Sequence, residues 1–541
     1  MPHDRYDYIV IGSGFGGSVS ALRLSEKGYR VLVIEKGRRF SREDFPKDNT
    51  EFKRWYWMPA IGATGIFKLS VFKHITVAHG VGVGGGSLVY ACTLPTPSDR
   101  FFHAESWGHL ADWKGELAPH YETALKMLGA AVNTIDEPAD RITREIAGEL
   151  GRPDHFEKTR VSIYFGEPGR EVDDPYFDGK GPKRVGCTEC GACMTGCRVG
   201  AKNTLDQNYL YLAEQLGCEI LPETEVGAVR EAEGGGYIVE TDAAFGRARP
   251  RTFRAEKVIF AGGVLGTVPL LLKMREERGG LPKLSKRVGD FVRTNSESIL
   301  CVTSDDMTID HSRGIAISSI LHTDEHSHFE PVRYGSGSNF YKPILFPHVT
   351  GSNIFTRVFR SLGIVLKHPG KFWRMKTGRD LAARSTIMLY MRTLDETIRL
   401  KLGRSFLTGF RRGLVTTIKP GSKGPEAFME EATDIARRFA EKTDGLTYAL
   451  ASETLLGTGT TAHILGGACM GRTAEEGAID HQHQLFGYDG LYVIDGAAVS
   501  ANPGVNPSLT ITALAERAMS FIPEKAASGL SEGAESAGAA P

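Results

Sequence analysis

Four cysteines, Cys187, Cys190, Cys193 and Cys197, stand close together in the run CTECGACMTGC. Their spacing, C-x2-C-x2-C-x3-C, is that of a bacterial iron–sulfur run, in which short loops let thiolates converge on an iron cube. Gly191 and Gly196 supply such loops here. Arg198 stands where that run usually carries Pro, and no second run is there to share the last cysteine. Structural zinc usually pairs two C-x2-C knuckles across a longer gap, so the spacing favours a 4Fe-4S or 3Fe-4S cluster over zinc. Reduced, unliganded thiols are the plain alternative. Cys92, Cys218, Cys301 and Cys469 read as small buried apolar residues.

A second constellation opens the chain. In YDYIVIGSGFGGSVSALRLSEKGYRVLVIEKG, Tyr8 to Ile11 read as a buried strand and RVLVIE as another that ends on Glu35. Between them Gly12, Gly14 and Gly17 fit G-x-G-x-x-G, with Gly16 as a fourth glycine. Such glycines let backbone approach a pyrophosphate held at a helix N-terminus, and the acid accepts hydrogen bonds from the ribose. An acid at Glu35 disfavours a ribose 2′-phosphate. Two further stretches favour FAD over NAD. HGVGVGGGSLVYACT, which contains Gly84, Gly85 and Ser87, has enough glycine to lay backbone against a flat ring. GLYVIDGAAV reads as a strand ending on Asp495 and Gly496, and an NAD enzyme rarely brings both ends of a long chain to one cofactor. Val226 completes the expected cofactor contacts.

A flavin takes hydride from an alcohol carbon while a base relieves the hydroxyl of its proton. Histidine titrates in the right range for that base. Of the sixteen histidines, His463 stands out, because it opens HILGGACMG some forty residues before Asn506 in GVNPSLT. The competing reading of His463 is a cap on the glycine turn beneath it.

These segments resemble the glucose–methanol–choline (GMC) oxidoreductases, and within them the cholesterol-oxidase-like branch. GVGGGSLV, HILGGACMG and GVNPSLTITALAER carry the resemblance, which is dense over residues 6–100, 200–300 and 455–522. It implies that His463 and Asn506 flank the substrate hydroxyl, the histidine as base or orienting group and the amide as its partner. It also implies a Glu from the substrate domain that shifts a sterol double bond after oxidation. Glu453, before LLGTGTTAH, is the position considered for it. Ile464 replaces the Pro that most relatives carry after the histidine. The cysteine run directly precedes AKNTLDQNYLYLAEQLG, a helix of the resemblance that returns the chain to the cofactor domain. A cluster there would give reduced flavin a one-electron exit to an acceptor protein or quinone, as in a dehydrogenase.

With 541 residues the chain exceeds one ordinary core. The expected fold class is α/β: a Rossmann-like FAD-binding domain from residues 1–105, 186–297 and 451–525, with a discontinuous α+β substrate-binding domain from 106–185 and 298–450. Residues 526–541 are small and polar and are expected to be disordered. A formal net charge of zero removes any global pull toward nucleic acid. No apolar run reaches the roughly 18 residues of a membrane span, and YDYIVIG already reads as a strand, so the chain is expected to be cytoplasmic with reduced thiols. Over residues 340–412, basic residues outnumber acidic ones roughly five to one, with Phe, Trp, Leu and Ile interleaved. That composition suits peripheral contact with anionic lipid at the inner membrane face, or docking of an acidic electron-transfer partner; its plain alternative is a solvated basic helix face. The expected reaction is FAD-dependent oxidation of a secondary hydroxyl on a bulky apolar molecule, a 3β-hydroxysteroid, to the ketone. A sugar or aryl-alcohol dehydrogenase and a non-turnover electron-transfer flavoprotein are the rivals.

Overall fold

In the computed structural model, residues 5–246, 249–421 and 424–526 are described; from 527 onward the tail expected to be disordered lies outside them. β1 (Arg5–Ile11) and β2 (Val31–Ile34) are short apolar runs, and all four residues of β2 are buried. Strands apolar on both faces belong inside a parallel sheet covered on two sides. They lie there, with β1 aligned on β2 from Tyr8 with Val31 to Ile11 with Ile34. The sheet runs Glu219–Leu221, β2, β1, Arg251–Phe260, Tyr237–Ala243, Thr224–Glu231. Leu491–Val493, from the far end of the chain, adds in parallel beside Arg251–Phe260.

Helix α1 (Phe15–Glu26) leaves the sheet straight after the glycine turn. Gly12 has φ +102°, a left-handed conformation that any side chain would strain. A Cβ at Gly16 would overlap the carbonyl oxygen of Ile494, so only glycine lets α1 approach the C-terminal strand. The helix Ser508–Ser520 then packs on α1, where Arg23 grips the buried Glu516 through two hydrogen bonds of 2.7 and 2.9 Å.

The second sheet is antiparallel and runs Leu345–Pro347, Leu446–Leu450, Ser298–Thr303, Ser385–Arg392, Ser327–Val332, Ser319–His322, Phe156–Lys158. Its side chains alternate as a pleat requires. Val302, Met388 and Tyr390 pack under helices Pro138–Glu149 and Glu430–Lys442. Ile299, Cys301, Ile387 and Leu389 face the opposite way, toward a large cavity.

Two segments expected in the substrate domain belong to the first core. Trp113, Leu117 and Tyr121 of helix Trp113–Met127 join it, because that helix lies on Ser508–Ser520, with Tyr121 Oη 3.0 Å from Thr510 Oγ1. Ile398 and Leu400 join it too, since strand Thr397–Gly403 pairs with Val292–Arg293 and lies against helix Val264–Glu276. Among the described residues no helix is long and apolar enough to cross a membrane.

Candidate active site

Between the two sheets lies a cavity of about 1010 Å³. From the glycine turn it is lined by Gly12, Gly14 and Gly16, and beyond them by Glu35, Gly85, Val226, Asp495 and Gly496. Of the other expected cofactor contacts, Gly17, Gly84 and Ser87 lie outside the lining. Gly17 is pressed against the Gly12 carbonyl. The Ser87 hydroxyl donates to Gly84 O at 2.7 Å and accepts from Leu205 N at 3.0 Å, which braces the loop from behind.

The lining fits FAD on three observations. The N-cap of α1 is Gly14, which provides no side-chain cap, so the first amides of the helix can bind a phosphate anion. Gly85 approaches so closely that its Cβ would sit 2.6 Å from Gly14 Cα, which leaves bare backbone where a flat ring and a pyrophosphate would lie. Glu35 ends β2 as a buried acceptor: its carboxylate receives Ser13 N at 3.1 Å, Ser13 Oγ at 2.7 Å and Gly37 N at 2.7 Å. Burial raises its pKa and those donors oppose the rise. A carboxylate has about four acceptor positions, so one remains for a ribose hydroxyl. Asp495 accepts Gly263 N at 2.8 Å, Thr267 Oγ1 at 2.5 Å and Ala497 N at 2.7 Å, and burial lifts it to about 6.

His463 and Asn506 both line the same cavity. Behind the imidazole stands Glu297, 4% exposed, whose Oε2 lies 2.8 Å from His463 Nδ1. The other carboxylate oxygen accepts the Ala462 amide at 3.0 Å and the Thr461 hydroxyl, so Glu297 also fixes the loop that carries the histidine. Nδ1 is thereby the protonated nitrogen, which leaves Nε2 as the acceptor of a neutral ring. Burial favours the neutral imidazole, yet Glu297 and the more distant Glu330 outweigh it and hold the pKa above the usual histidine value. Asn506 Nδ2 donates to Glu330 at 3.2 Å, while its Oδ1 is buried without a protein partner. Glu330 is fully buried on strand Ser327–Val332 of the second sheet, with His328 Nε2 at 3.4 Å. The site is therefore an imidazole and an amide, each backed by a buried carboxylate.

Residues 182–279 and 376–515 match family models described as GMC oxidoreductase, and residues 10–50 match a NAD(P)-binding Rossmann-like domain. The cholesterol oxidase of Acinetobacter baumannii is 42% identical over 532 residues, covering 96% of this chain and 95% of that protein. The cholesterol oxidase of Mycobacterium tuberculosis strain H37Rv is 44% identical over 539 residues, covering 96% and 91%. The chain belongs to the GMC oxidoreductase family. Like the family, it is an FAD-dependent alcohol oxidoreductase. A solved pyridoxine 4-oxidase from Mesorbium loti shares the fold, with a TM-score of 0.59 at 15% identity over 95% of this chain and 99% of that one.

Two expectations about this GMC oxidoreductase need correction. Its four clustered cysteines border one cavity of only about 20 Å³. Among the described residues no three His, Cys, Asp or Glu side chains are placed to hold a metal ion. Cys187 and Cys197 accept backbone amides, Glu189 N at 3.5 Å and Gly200 N at 3.3 Å, and Cys92 Sγ donates to Tyr90 O at 3.8 Å. The thiols as arranged do not fit an iron–sulfur cluster or zinc, and no electron path is drawn through them. The segment acts as a structural tie. Lys202, 2% exposed, donates to Leu88 O, Tyr90 O and Cys193 O, which binds the cysteine loop to the glycine-rich loop and sets Met194 in the cavity wall. Glu453 is the second correction. It is 1% exposed, neither oxygen has a hydrogen-bond partner, and it is absent from the cavity lining; burial pushes its pKa well above the usual carboxylate value. Glu297 and Glu330 are the carboxylates beside His463 and Asn506 that the sequence did not reveal.

Proposed function

We propose that this enzyme oxidises the secondary hydroxyl of a bulky, rigid, apolar alcohol, a 3β-hydroxysteroid, to the ketone. The observation that carries the reading is the wall of the cavity beyond the catalytic pair. Ile299, Ile317, Val332, Ile387 and Leu389 form it, and hydrogen-bonding side chains along it are few. A polyol such as a sugar needs a partner for each hydroxyl, and a missing partner is costly; a fused hydrocarbon needs one polar end. The names of the two cholesterol oxidases support the same class.

FAD, when bound, supplies the acceptor for hydride from the carbinol carbon. The hydroxyl proton goes to His463 Nε2, the free acceptor of a ring whose Nδ1–H is held by Glu297. Asn506 holds the oxygen in place through an amide that can donate or accept. Glu330 takes the part of the carboxylate that shifts a ring double bond: like Glu453 it is buried outside the cavity lining, but it hydrogen-bonds Asn506, whereas Glu453 has no partner.

Anaerobic mixing of the FAD-loaded enzyme with sterols, sugars and aryl alcohols tests the substrate class. Sterols are expected to bleach the flavin; bleaching by sugars alone would refute the reading. Glu330→Gln is expected to keep flavin reduction within about threefold, because the Gln oxygen still accepts from Asn506 Nδ2 and leaves that amide in place. Chromatography should then show a ketone with its double bond unmoved, and a shifted product would remove Glu330 from that role.

A further inference from the structure

Helix Ile354–Lys367 carries apolar side chains on the face that it turns to solvent. Phe355 is 72% exposed, Phe359 74%, Leu362 52% and Leu366 80%. Their spacing of four, three and four residues places them in one stripe along the helix. Arg357 and Ser361, on the opposite side, are buried. Arg357 pins the helix to the turn after Ala451–Thr454 through Thr454 O at 3.0 Å and Leu455 O at 2.9 Å, and Leu456 next to that anchor is 62% exposed. On the following helix, Pro369–Thr377, Trp373 is 61% exposed. A contiguous row of this kind on a soluble protein marks an interaction surface rather than scattered exposure.

Charge selects the partner. Residues 331–379 contain nine Lys and Arg and no Asp or Glu. Lys371 and Arg374 are paired with Asp444 and Asp305. Arg360, Lys367 and Arg379 are exposed and, among the described residues, have no carboxylate partner. Arg360 and Lys367 directly follow Phe359 and Leu366, about 100° further round the helix, so both cations flank the apolar row on the same side. Bulky apolar side chains flanked by unpaired cations form the pattern of a helix that lies in the interface of an anionic bilayer. The position fits as well. Ser361 Oγ donates to Pro347 O of strand Leu345–Pro347, and Met375 packs with Cys301, Leu345 and Leu381, all three of which line the cavity. The exposed row is the outer layer of the wall whose inner layer would hold the substrate.

We infer that helix Ile354–Lys367, with Leu456 and Trp373, is a docking face for an anionic lipid bilayer. The row inserts its apolar side chains among the acyl chains while Arg360, Lys367 and Arg379 meet the headgroups. It brings the cavity wall to the surface from which an apolar alcohol is drawn, a last step that rests on the proposed substrate class; the docking itself does not.

Co-sedimentation of the FAD-loaded full chain with vesicles, without substrate, tests it. Binding to mixed phosphatidylcholine–phosphatidylglycerol vesicles should exceed binding to pure phosphatidylcholine at least about tenfold. Phe359→Ser with Leu366→Ser, and separately Arg360→Glu with Lys367→Glu, should each lower it about tenfold. Both variants should keep wild-type turnover on detergent-solubilised sterol, because neither pair lines the cavity. Equal binding to both vesicle types, or variants that sediment like the wild type, would overturn the inference. So would a wild-type dimer in size-exclusion chromatography that Phe359→Ser with Leu366→Ser converts to monomer, which would assign the row to self-association. If vesicles bind and no sterol reduces the flavin, the docking face stands and the substrate assignment falls.

Discussion

Replacing His463 with Gln is expected to slow flavin reduction by the substrate roughly 10²- to 10⁴-fold, the usual contribution of a positioned general base. The size follows from the isolation of Nε2. Nδ1 is engaged by Glu297, and Glu330, the carboxylate bonded to Asn506, is absent from the cavity lining, so Nε2 is the acceptor that the pair offers there. Asn506 cannot substitute, since an amide does not accept a full proton at neutral pH. Bound FAD should be retained, because the groups that fit it, from Gly12 to Gly16 with Glu35 and Asp495, are untouched. Rapid mixing of the anaerobic variant with substrate reads the reductive step directly, and flavin absorbance reports the loading. A rate within about threefold of wild type would make His463 a structural residue and return the base to an unassigned group.

How far the site could be read in advance depended on whether sterics or tertiary contact decided each residue. The glycine turn was legible because Gly12 needs a left-handed backbone and Gly16 must clear a carbonyl, demands that leave glycine in the sequence wherever the contact is made. Glu35 and Asp495 were legible as acids at the ends of apolar strands. The carboxylates behind the imidazole and the amide were not. Glu297 sits in RTNSESIL and Glu330 in HSHFEPVR, where the flanking polar residues suggest surface; only tertiary packing, Glu330 on a strand of the second sheet and Glu297 just before another, buries them. One signal was available: a catalytic imidazole needs a partner at its other nitrogen. Yet 65 Asp and Glu residues compete for that place, so the need named no residue. Helix Trp113–Met127 shows the same limit in the core. Its apolar positions say that a face is buried, and the contact with Ser508–Ser520 decides against what. The cysteine run failed for another reason. Close cysteine spacing is compatible with a ligand set and with a tight loop, and only the placement of the thiols in the fold separates the two.

Glu297→Gln should lower the plateau of kcat/KM about 10- to 100-fold and move its acid limb to lower pH. In the wild type the imidazole pKa lies above the ordinary 6.5, since the Glu297 carboxylate, with Glu330 behind it, outweighs the opposing effect of burial. Below that raised pKa the ring carries a proton and cannot act as base, so activity climbs as pH rises through it. A carboxamide removes the charge and leaves burial dominant, the imidazolium is destabilised, and the limb descends. The plateau falls for a separate reason. The side-chain oxygen of Gln is still needed for Ala462 N and the Thr461 hydroxyl, which turns its NH2 toward His463 Nδ1. A donor there asks Nδ1 to accept, which places the ring proton on Nε2, the atom that must be free. Glu297→Asp keeps the charge and should leave the limb close to that of the wild type even where its shorter reach costs rate. A merely structural Glu297 predicts a different pair of curves, with the plateau lowered in both variants and the limb unmoved in either; a Glu297→Gln profile whose limb stays at the wild-type pH would leave that carboxylate as a brace for the loop and nothing more.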